Sequence, residues 1–554
     1  MTPESRNRLR SFRSYFLGVL LPIGTAVALI NAFVPAPERN DPRASAALTA
    51  AAGNEAQAEE QFGRLIQADS LDLELHRAYI TAHFERPKTA RGRQAPRDDS
   101  TIVRMYRAYA ASANPAVADV GNYCLGLCEM KQDRYASGIS FLNRVVNPRL
   151  PFLNNSKGFA FQKMGRADLA EQFFLRELDF GSNAEGAVAN LSRLYYDRRD
   201  FNSLSEMRRN TAWKRFIPED VLRFLLLHDR DAAGYFSQWM KSMLGHSQWD
   251  GILAAALILG VWFFYFVKID VFEPERPGFL ALALGLGMLF CLFCTALYDA
   301  AEYALGFRLT GRLLNDLLFC VVGIGLIEET VKIAPVLIMI RFARQADESF
   351  DFILYAAVSA LGFAFIENLG YFRLSGLQNI SGRALSAVMV HMGLTSLIMY
   401  GTYTAGRRSG RNVPAAFAAS LAAACLIHGL YDFCLIQNER FSGLFLLSFA
   451  ILVILVQGFG TVINNSINIS EFFDAARTGR LRRMGRYLAY SLPYIAAFQY
   501  AVMALRFGPR NANAGAAQNL VVAFVLAWIV WLHLGNFQIE KNRVLPLFRK
   551  IRIS

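Results

Sequence analysis

Charged residues are scarce in this chain of 554 residues, at 19% of the sequence, whereas 54% of the residues are hydrophobic and 44 are Phe. Soluble globular chains carry about 25% of their residues as Asp, Glu, Lys and Arg, so the shortage excludes an ordinary soluble protein of this length. Cysteine is scarce as well, and the seven present show neither a disulfide framework nor zinc-finger spacing. Much of the chain is therefore expected to lie in a membrane.

Two common hydrolase signatures are also missing. The sequence has no His-Glu-x-x-His, which excludes a thermolysin-like zinc site, and no Gly-x-Ser-x-Gly elbow. The net charge of +13 comes from Arg and Lys residues beside apolar segments, with no basic face bearing interleaved aromatic residues. The positive charge therefore relates to membrane topology, and no nucleic-acid partner is expected.

Apolar runs long enough to cross a membrane occur ten times. The first, Tyr15 to Val34, is about 20 residues long and follows an Arg-rich segment that would also suit a signal peptide. Pro35 and Pro37 occupy the place of a cleavage site, so residues 1–35 are predicted to be an uncleaved anchor. The other nine runs are 251–267, 278–298, 313–340, 351–372, 384–404, 413–436, 442–464, 488–506 and 517–535.

Residues 36–248 contain no such run and are expected to form a helical domain. Two segments in it look alike at a spacing of 34 residues, 130–136 and 164–170, and weaker copies occupy 47–66 and 189–201. This period is typical of tetratricopeptide repeats, in which stacked helix pairs leave a groove for protein partners. A generic helical bundle is the alternative.

The distribution of Arg and Lys among the short loops predicts the orientation of the spans. Positive charge is concentrated at 341–344, 407–411, 477–486 and 541–552, and the intervening loops are poorer in it. Both termini are therefore predicted to be cytoplasmic, with the helical domain on the outer side. Residues 466–487, which are basic and contain two Phe, are expected to lie on anionic membrane lipid. Residues 488–554 would add two spans and a basic cytoplasmic tail.

Ionisable residues occur inside several of these runs, although such groups are costly in lipid and usually face a bundle interior or a water-filled cavity. Glu328 and Lys332 are four residues apart and share a helix face, whereas Glu329 is turned about 100° away. One carboxylate could then pair with the ammonium while the other points elsewhere. A structural ion pair of little net stability is the alternative interpretation.

The next three spans add five polar residues and one Phe, again with pairs at a spacing of four that places both members on one helix face. In chain order they are Phe363, Glu367, Asn368, His391, His428 and Asp432. On the predicted topology the acids and histidines meet in one layer towards the outer surface, with Lys332 about one turn nearer the cytoplasm.

Such a layer could hydrolyse a peptide bond in two ways. A carboxylate in a low dielectric can accept and return a proton, while a histidine or Asn stabilises the oxyanion. Alternatively, His391 and His428 with Glu367 or Asp432 could hold Zn²⁺, which would acidify a bound water. The residues alone leave both chemistries open.

In this order on successive spans, Glu328-Glu329-x-x-Lys332, Phe363-x-x-x-Glu367-Asn368, His391 and His428-x-x-x-Asp432 resemble the motifs of the PrsW family of intramembrane endopeptidases. That family is distantly related to the prenyl-protein (CAAX) proteases. The resemblance covers residues 249–465. It implies a multi-pass enzyme of the bacterial cytoplasmic membrane that cuts membrane-anchored proteins, such as anti-sigma factors, at the outer side.

The resemblance also implies roles for individual residues. Glu328 would activate water and His391 would line the site, with Lys332, Phe363 and Asn368 in support. The residues that would complete the site are Glu329, Glu367, His428 and Asp432. The family is classed with metallopeptidases while its relatives suggest a metal-free glutamate mechanism, so Zn²⁺ remains one of two alternatives.

Two other functions fit the composition. A proton- or ion-coupled transporter also uses buried Glu, Asp and His, but no inverted repeat of spans and no matched pair of broken helices is evident. An inactive scaffold would act through the helical repeats alone, and the intact acidic motifs argue against it. The sequence thus predicts an all-α, multi-pass membrane protein that carries an outer repeat domain and acts as an intramembrane protease.

Overall fold

The computed structural model describes residues 13–35, 41–86, 98–181, 183–245, 248–343, 346–374, 377–409, 412–441 and 443–546. Every regular element in these ranges is a helix, which confirms the predicted all-α class. The chain divides into a helical unit, Pro35–Ser242, and a membrane unit, Met1–Val34 with Met243–Ser554. Four predicted basic segments lie partly outside the described residues: the flank of the anchor, 341–344, 407–411 and the end of the tail.

Helices are numbered along the chain, and α1 (Leu21–Phe33) belongs to the membrane unit. The helical unit contains α2 (Pro42–Ala51), α3 (Glu55–Ala68), α4 (Leu73–Glu85), α5 (Asp99–Ala110), α6 (Pro115–Met130), α7 (Tyr135–Leu142), α8 (Leu153–Lys163), α9 (Ala167–Phe180), α10 (Ala184–Asp197), α11 (Phe201–Arg209), α12 (Glu219–His228) and most of α13 (Ala232–Leu244). Consecutive helices pack on one another, as in α3 on α4, α6 on α7 and α8 on α9.

Four turns between paired helices of the helical unit share a left-handed residue. These residues are Asp133, Gly165, Arg199 and Arg230, with φ of 59°, 74°, 56° and 55°, and they are spaced 32, 34 and 31 residues apart. A left-handed residue just beyond a helix reverses the chain sharply. The helix–turn–helix arrangement therefore recurs at spacings of 31 to 34 residues, while its assignment to tetratricopeptide repeats stays a prediction.

The membrane unit continues with α14 (Trp249–Ile269), α15 (Pro277–Leu305), α16 (Leu313–Leu318), α17 (Ile327–Ile338), α18 (Ser349–Leu374), α19 (Val388–Ser409), α20 (Val413–Ile436), α21 (Leu444–Asn468), α22 (Gly479–Phe507) and α23 (Pro509–Leu534). Wider π-helical turns, Phe319–Leu326 and Arg383–Ala387, lead directly into α17 and α19. Such π-helical segments are uncommon and are often found at functional sites.

Eight helical stretches in the described residues are long and apolar enough to cross a membrane, so this is a multi-pass membrane protein. Ten spans were predicted. The run 313–340 is helical but is divided among α16, a π-helical segment and α17, and it carries Asp316 together with Glu328, Glu329 and Lys332. The run 517–535 overlaps α23, and the apolar stretch found there among the fully described residues is Val521–Leu534.

The helix α18 lies at the centre of the membrane unit. Within its most apolar window 83% of the residues are buried, against 28% for α15 and 22% for α20. It packs against α14, α15, α17, α19 and α21. A helix enclosed in this way can carry polar side chains at modest cost, because protein groups rather than lipid surround them.

The predicted amphipathic segment 466–487 is shared among three elements. Residues 466–468 end α21, Ala475–Arg477 form one 3₁₀ turn, and 479–487 begin the long helix α22. Leu481 and Leu488 are buried within the unit, so this part of α22 packs on protein along one side.

Candidate active site

The π-helical segment Phe319–Leu326 lies directly against α20, and two glycines allow this approach. A Cβ on Gly429 would overlap the backbone of Val321, and one on Gly325 would lie 2.6 Å from the carbonyl oxygen of Cys425. Glycine permits such close contact because it lacks a side chain. The first turn of α17 is therefore placed beside His428.

Helices α15 and α18 approach each other in the same manner. A Cβ on Gly287 would overlap the carbonyl oxygen of Ser359, and one on Gly362 would overlap that of Leu284. The Ser359 hydroxyl donates to the carbonyl oxygen of Lys332, at 2.8 Å. These contacts hold α15, α17 and α18 together around the ionisable residues.

The ammonium group of Lys332 bridges both neighbouring carboxylates. Its Nζ lies 3.0 Å from Glu328 Oε2 and 2.9 Å from Glu329 Oε1, and it lies over the Phe363 ring at 4.5 Å. The expectation that Glu329 points elsewhere is wrong, because residues three apart also lie close on a helix surface. Helical side chains tilt towards the N-terminus, so the ammonium reaches back to the carboxylates instead of lying a turn below them.

Glu329 is completely buried, and both of its oxygens are engaged. Its Oε1 lies 2.8 Å from His428 Nδ1 in addition to Lys332, and its Oε2 accepts from the Thr395 hydroxyl at 3.2 Å. A carboxylate on Nδ1 fixes the orientation of an imidazole ring. Glu329 therefore positions His428.

Glu328 lies where the two histidines approach each other. Its Oε2 is 3.6 Å from His428 Nε2 and 3.9 Å from His391 Nδ1, and its Oε1 accepts from the Tyr298 hydroxyl at 2.8 Å. The histidine rings themselves are 5.5 Å apart and meet edge to face. Residues from α15, α17, α19 and α20 thus converge on one carboxylate.

Glu367 orients the second histidine. Its Oε2 lies 2.7 Å from His391 Nε2 and also accepts from Arg383 at 2.7 Å. Arg383 donates at the same time to the Asn368 side-chain oxygen, at 2.8 Å, and lies 4.0 Å over the Tyr371 ring. Arg383 directly precedes the predicted run 384–404, and the structure places it in this network.

The remaining predicted residues flank the cluster. Asp432 Oδ2 lies 3.4 Å from His428 Nε2, and the Phe363 ring contacts His391 with a centroid separation of 5.4 Å. The structure therefore brings all nine predicted site residues into one connected group. Their catalytic roles stay predictions.

Three residues of the network were not predicted. Tyr298 ends an apolar run and Thr395 lies inside another, and neither forms a spaced pair that would mark it. Arg383 precedes a span and looks like any flanking charge. Its distance of eight residues from His391 was a usable signal, since this separation is close to two helical turns and places both on one face.

Comparison with known proteins bears directly on this arrangement. The family described as "PrsW family intramembrane metalloprotease" matches residues 275–458, the segment that carries the whole network. This segment is similar to the PrsW family, and the site that it carries is called here the PrsW site. The finding supports an intramembrane protease.

Two curated proteins named Protease PrsW are similar to part of this chain. Protease PrsW of Geobacillus kaustophilus (strain HTA426) is 29% identical over 189 residues, which cover 33% of this chain and 80% of that protein. Protease PrsW of Bacillus subtilis (strain 168) is 34% identical over 113 residues, 20% of this chain and 51% of that protein. No solved structure matches.

Exposure within the PrsW site is graded. The side chains of Glu329 and Lys332 are 0% exposed and that of Glu328 is 9% exposed, whereas Glu367 and Asp432 reach 19% and 23%. The site is therefore most open on the side of Glu367 and Asp432, and Glu328 is the more accessible of the two adjacent acids.

The description of the PrsW family implies a metal, and the residues present fit one. Glu328, His391 and His428 can each offer a ligand atom, and these atoms lie within 4.8 Å of one another. The Nδ1 of His391 is buried and has no hydrogen-bond partner. Glu367 faces the other nitrogen of His391, as an outer carboxylate does behind a metal-bound imidazole. The predicted ligands Glu367 and Asp432 therefore lie around the compact trio.

Proposed function

We propose that the membrane unit hydrolyses peptide bonds of membrane-anchored proteins, with Glu328 activating the attacking water. The observation that carries the proposal is the position of Glu328 beside both histidines, with slight exposure on the approach side. A carboxylate held there can take a proton from water and return it to the leaving amine.

The neighbouring residues have complementary tasks in this proposal. Lys332 fixes the positions of Glu328 and Glu329. Glu329 in turn orients His428, and Glu367 orients His391. The two imidazoles face the space beside Glu328, where a peptide carbonyl would gain negative charge, so they are suited to stabilise the oxyanion. Asp432 would contact substrate at the entrance.

The compact trio supports a zinc-assisted form of the same reaction. Glu328, His391 and His428 would hold the ion, and bound Zn²⁺ supplies a water of lowered pKa. In that form Glu328 is a ligand, so its removal abolishes metal binding as well as cleavage. In the metal-free form the histidine pair binds no metal and Glu328 acts only on water.

A reporter assay tests the proposal. Full-length protein and a library of single-span reporters are co-expressed, and Glu328→Gln and Asp432→Asn are compared with wild type. Glu540→Gln is the matched control, since Glu540 is exposed on the tail. We expect cleavage to be lost in Glu328→Gln, reduced in Asp432→Asn and unchanged in the control. Equal products from all four proteins would refute a protease.

The metal question needs a readout besides activity. Bound zinc is measured by elemental analysis in purified wild type, His391→Ala and Glu328→Gln. One ion per chain in wild type and none in either variant would assign the trio as ligands. Full activity in wild type after removal of all metal would assign the glutamate mechanism.

We further propose that the protein resides in a bacterial cytoplasmic membrane with both termini inside and the helical unit outside. The distribution of Arg and Lys among the loops supports this orientation. The helical unit would then recruit or screen substrates such as anti-sigma-factor-like regulators. Reporter enzymes that are active on one side only, fused after residues 245 and 409, would report the sides, and activity in the opposite compartments would overturn the orientation.

A further inference from the structure

A second group of carboxylates lies far from the candidate active site. It is formed by the loop between α14 and α15 and by the segment that leads into α18. Its members, called here the acidic cluster, are Asp270, Glu273, Glu275, Asp347, Glu348 and Asp351. Along α15 the separation from this loop to Tyr298 is about 30 Å, and along α18 from Asp351 to Glu367 it is about 24 Å. The acidic cluster is therefore separate from the PrsW site.

Four members of the cluster are buried, which is unusual for unpaired acids. Asp270 and Glu275 are 5% and 8% exposed, and Glu348 and Asp351 are 1% and 0% exposed. Glu273 and Asp347 are open to solvent. Burying several like charges together costs free energy unless positive charge compensates them.

Three of the buried carboxylates are each held by one oxygen only. Asp270 Oδ2 accepts from the Glu275 amide at 2.7 Å, and Glu275 Oε2 accepts from the Tyr355 hydroxyl at 2.7 Å. Asp351 Oδ2 accepts from the amides of Asp347 and Glu348, at 3.0 and 2.9 Å. In each case the second oxygen is buried and has no hydrogen-bond partner: Asp270 Oδ1, Glu275 Oε1 and Asp351 Oδ1.

Asp351 also belongs to a compact group of three carboxylates. One oxygen from each of Glu273, Asp347 and Asp351 lies within 4.8 Å of the others. Repulsion from Glu275 and Glu348 acts on both Asp270 and Asp351. Two basic residues among those described bear on the cluster: Arg276 attracts Glu273, whereas Arg477 donates to the Phe272 carbonyl at 2.5 Å and pairs with Asp474 at 3.3 Å.

We propose that the acidic cluster binds a hard divalent cation, with Glu273, Asp347 and Asp351 as ligands. Oxygen donors without nitrogen or sulfur select Mg²⁺, Ca²⁺ or Mn²⁺ over Zn²⁺. The bound ion joins the α14–α15 loop to the start of α18, the helix that carries Phe363 and Glu367. It therefore stabilises the arrangement on which the PrsW site depends.

The test uses full-length protein in detergent, stripped with chelator and titrated separately with MgCl₂, CaCl₂ and MnCl₂. Binding is followed by calorimetry and by the thermal unfolding midpoint, which rises when an ion binds only the folded state. The variant Glu273→Gln/Asp347→Asn changes the two solvent-open ligands and leaves the buried hydrogen bonds in place. A second variant, Asp351→Asn, retains an oxygen that can accept from the backbone amides.

We expect wild type to bind at least one of the three ions, with the midpoint raised, and both cluster variants to bind it about tenfold or more weakly. Glu328→Gln and Glu540→Gln should bind as wild type does, which separates this site from the PrsW site. Absence of binding by wild type up to about 10 mM of every ion, above the range of weak protein calcium sites, would overturn the proposal. Equal affinity in wild type and both cluster variants would also overturn it.

Discussion

Replacing Lys332 with Met should destabilise the membrane unit strongly, because it leaves two buried carboxylates without their shared cation. Lys332 is 0% exposed, and its Nζ lies 3.0 Å from Glu328 and 2.9 Å from Glu329. At an effective dielectric constant of about 20 each contact contributes about 5 kcal/mol of attraction, most of which offsets desolvation. Removing one partner of a buried ion pair costs about 3–5 kcal/mol, and that is the expected loss for Lys332→Met.

The assay is denaturant unfolding of the purified protein in detergent. Lys541→Met is the matched control, since Lys541 is exposed on the tail and its change should stay within about 0.5 kcal/mol. The double variant Lys332→Met/Glu329→Gln restores the original net charge of the cluster, so it should recover part of the stability but not the cleavage activity. A Lys332→Met protein within about 1 kcal/mol of wild type would refute the buried bridge.

Three further outcomes are expected. Gly429→Ala would push α20 away from the π-helical segment, so it should lower the free energy of unfolding by about 1–3 kcal/mol and reduce cleavage. Gly278→Ala is the control, because a Cβ there meets open space and should change neither quantity. Equal unfolding curves for the two variants would contradict this. Arg383→Lys keeps the charge but loses the guanidinium geometry that donates to Glu367 and Asn368 at the same time. Cleavage should therefore fall about 10–100-fold, while the thermal unfolding midpoint is retained. In the helical unit, burial alone would raise the pKa of Glu59, but hydrogen bonds from His83 and Arg86 outweigh it and lower the pKa. The ionised carboxylate therefore stabilises the folded protein at pH values above the ordinary pKa of Glu, and this stabilisation is lost as the pH falls through the lowered pKa of Glu59. Glu59→Gln should remove the corresponding fall in the free energy of unfolding at acidic pH, measured on the full-length protein.

The helices of the membrane unit were largely predictable because a span must be a continuous apolar stretch of sufficient length. The run 413–436 has the same bounds as α20. The run 313–340 was harder to identify as a membrane span, because its charged residues, among them Glu328, Glu329 and Lys332, lower its hydropathy. In the structure the same run contains π-helical turns, which hydropathy does not report.

The site was predictable to the level of helix faces and no further. Spacing of four placed His428 with Asp432 and Phe363 with Glu367, since this depends on one helix only. Contacts between helices depend on how closely the backbones approach, and here that is set by Gly287, a residue without a polar signature. For that reason Tyr298 on α15 was missed although its hydroxyl donates to Glu328.

The two adjacent acids show most clearly why contacts decide function. Glu328 and Glu329 are chemically identical and consecutive in sequence, and both oxygens of each are engaged. Glu329 is completely buried and holds His428 and Thr395, whereas Glu328 is 9% exposed and lies between the histidines. Glu329→Gln should therefore release His428 and lower stability as well as activity, whereas Glu328→Gln should remove the chemistry with a smaller effect on unfolding. If both variants lost the same stability, Glu328 would be a structural partner of Lys332, and the residue that activates water would have to be sought among Glu367 and Asp432.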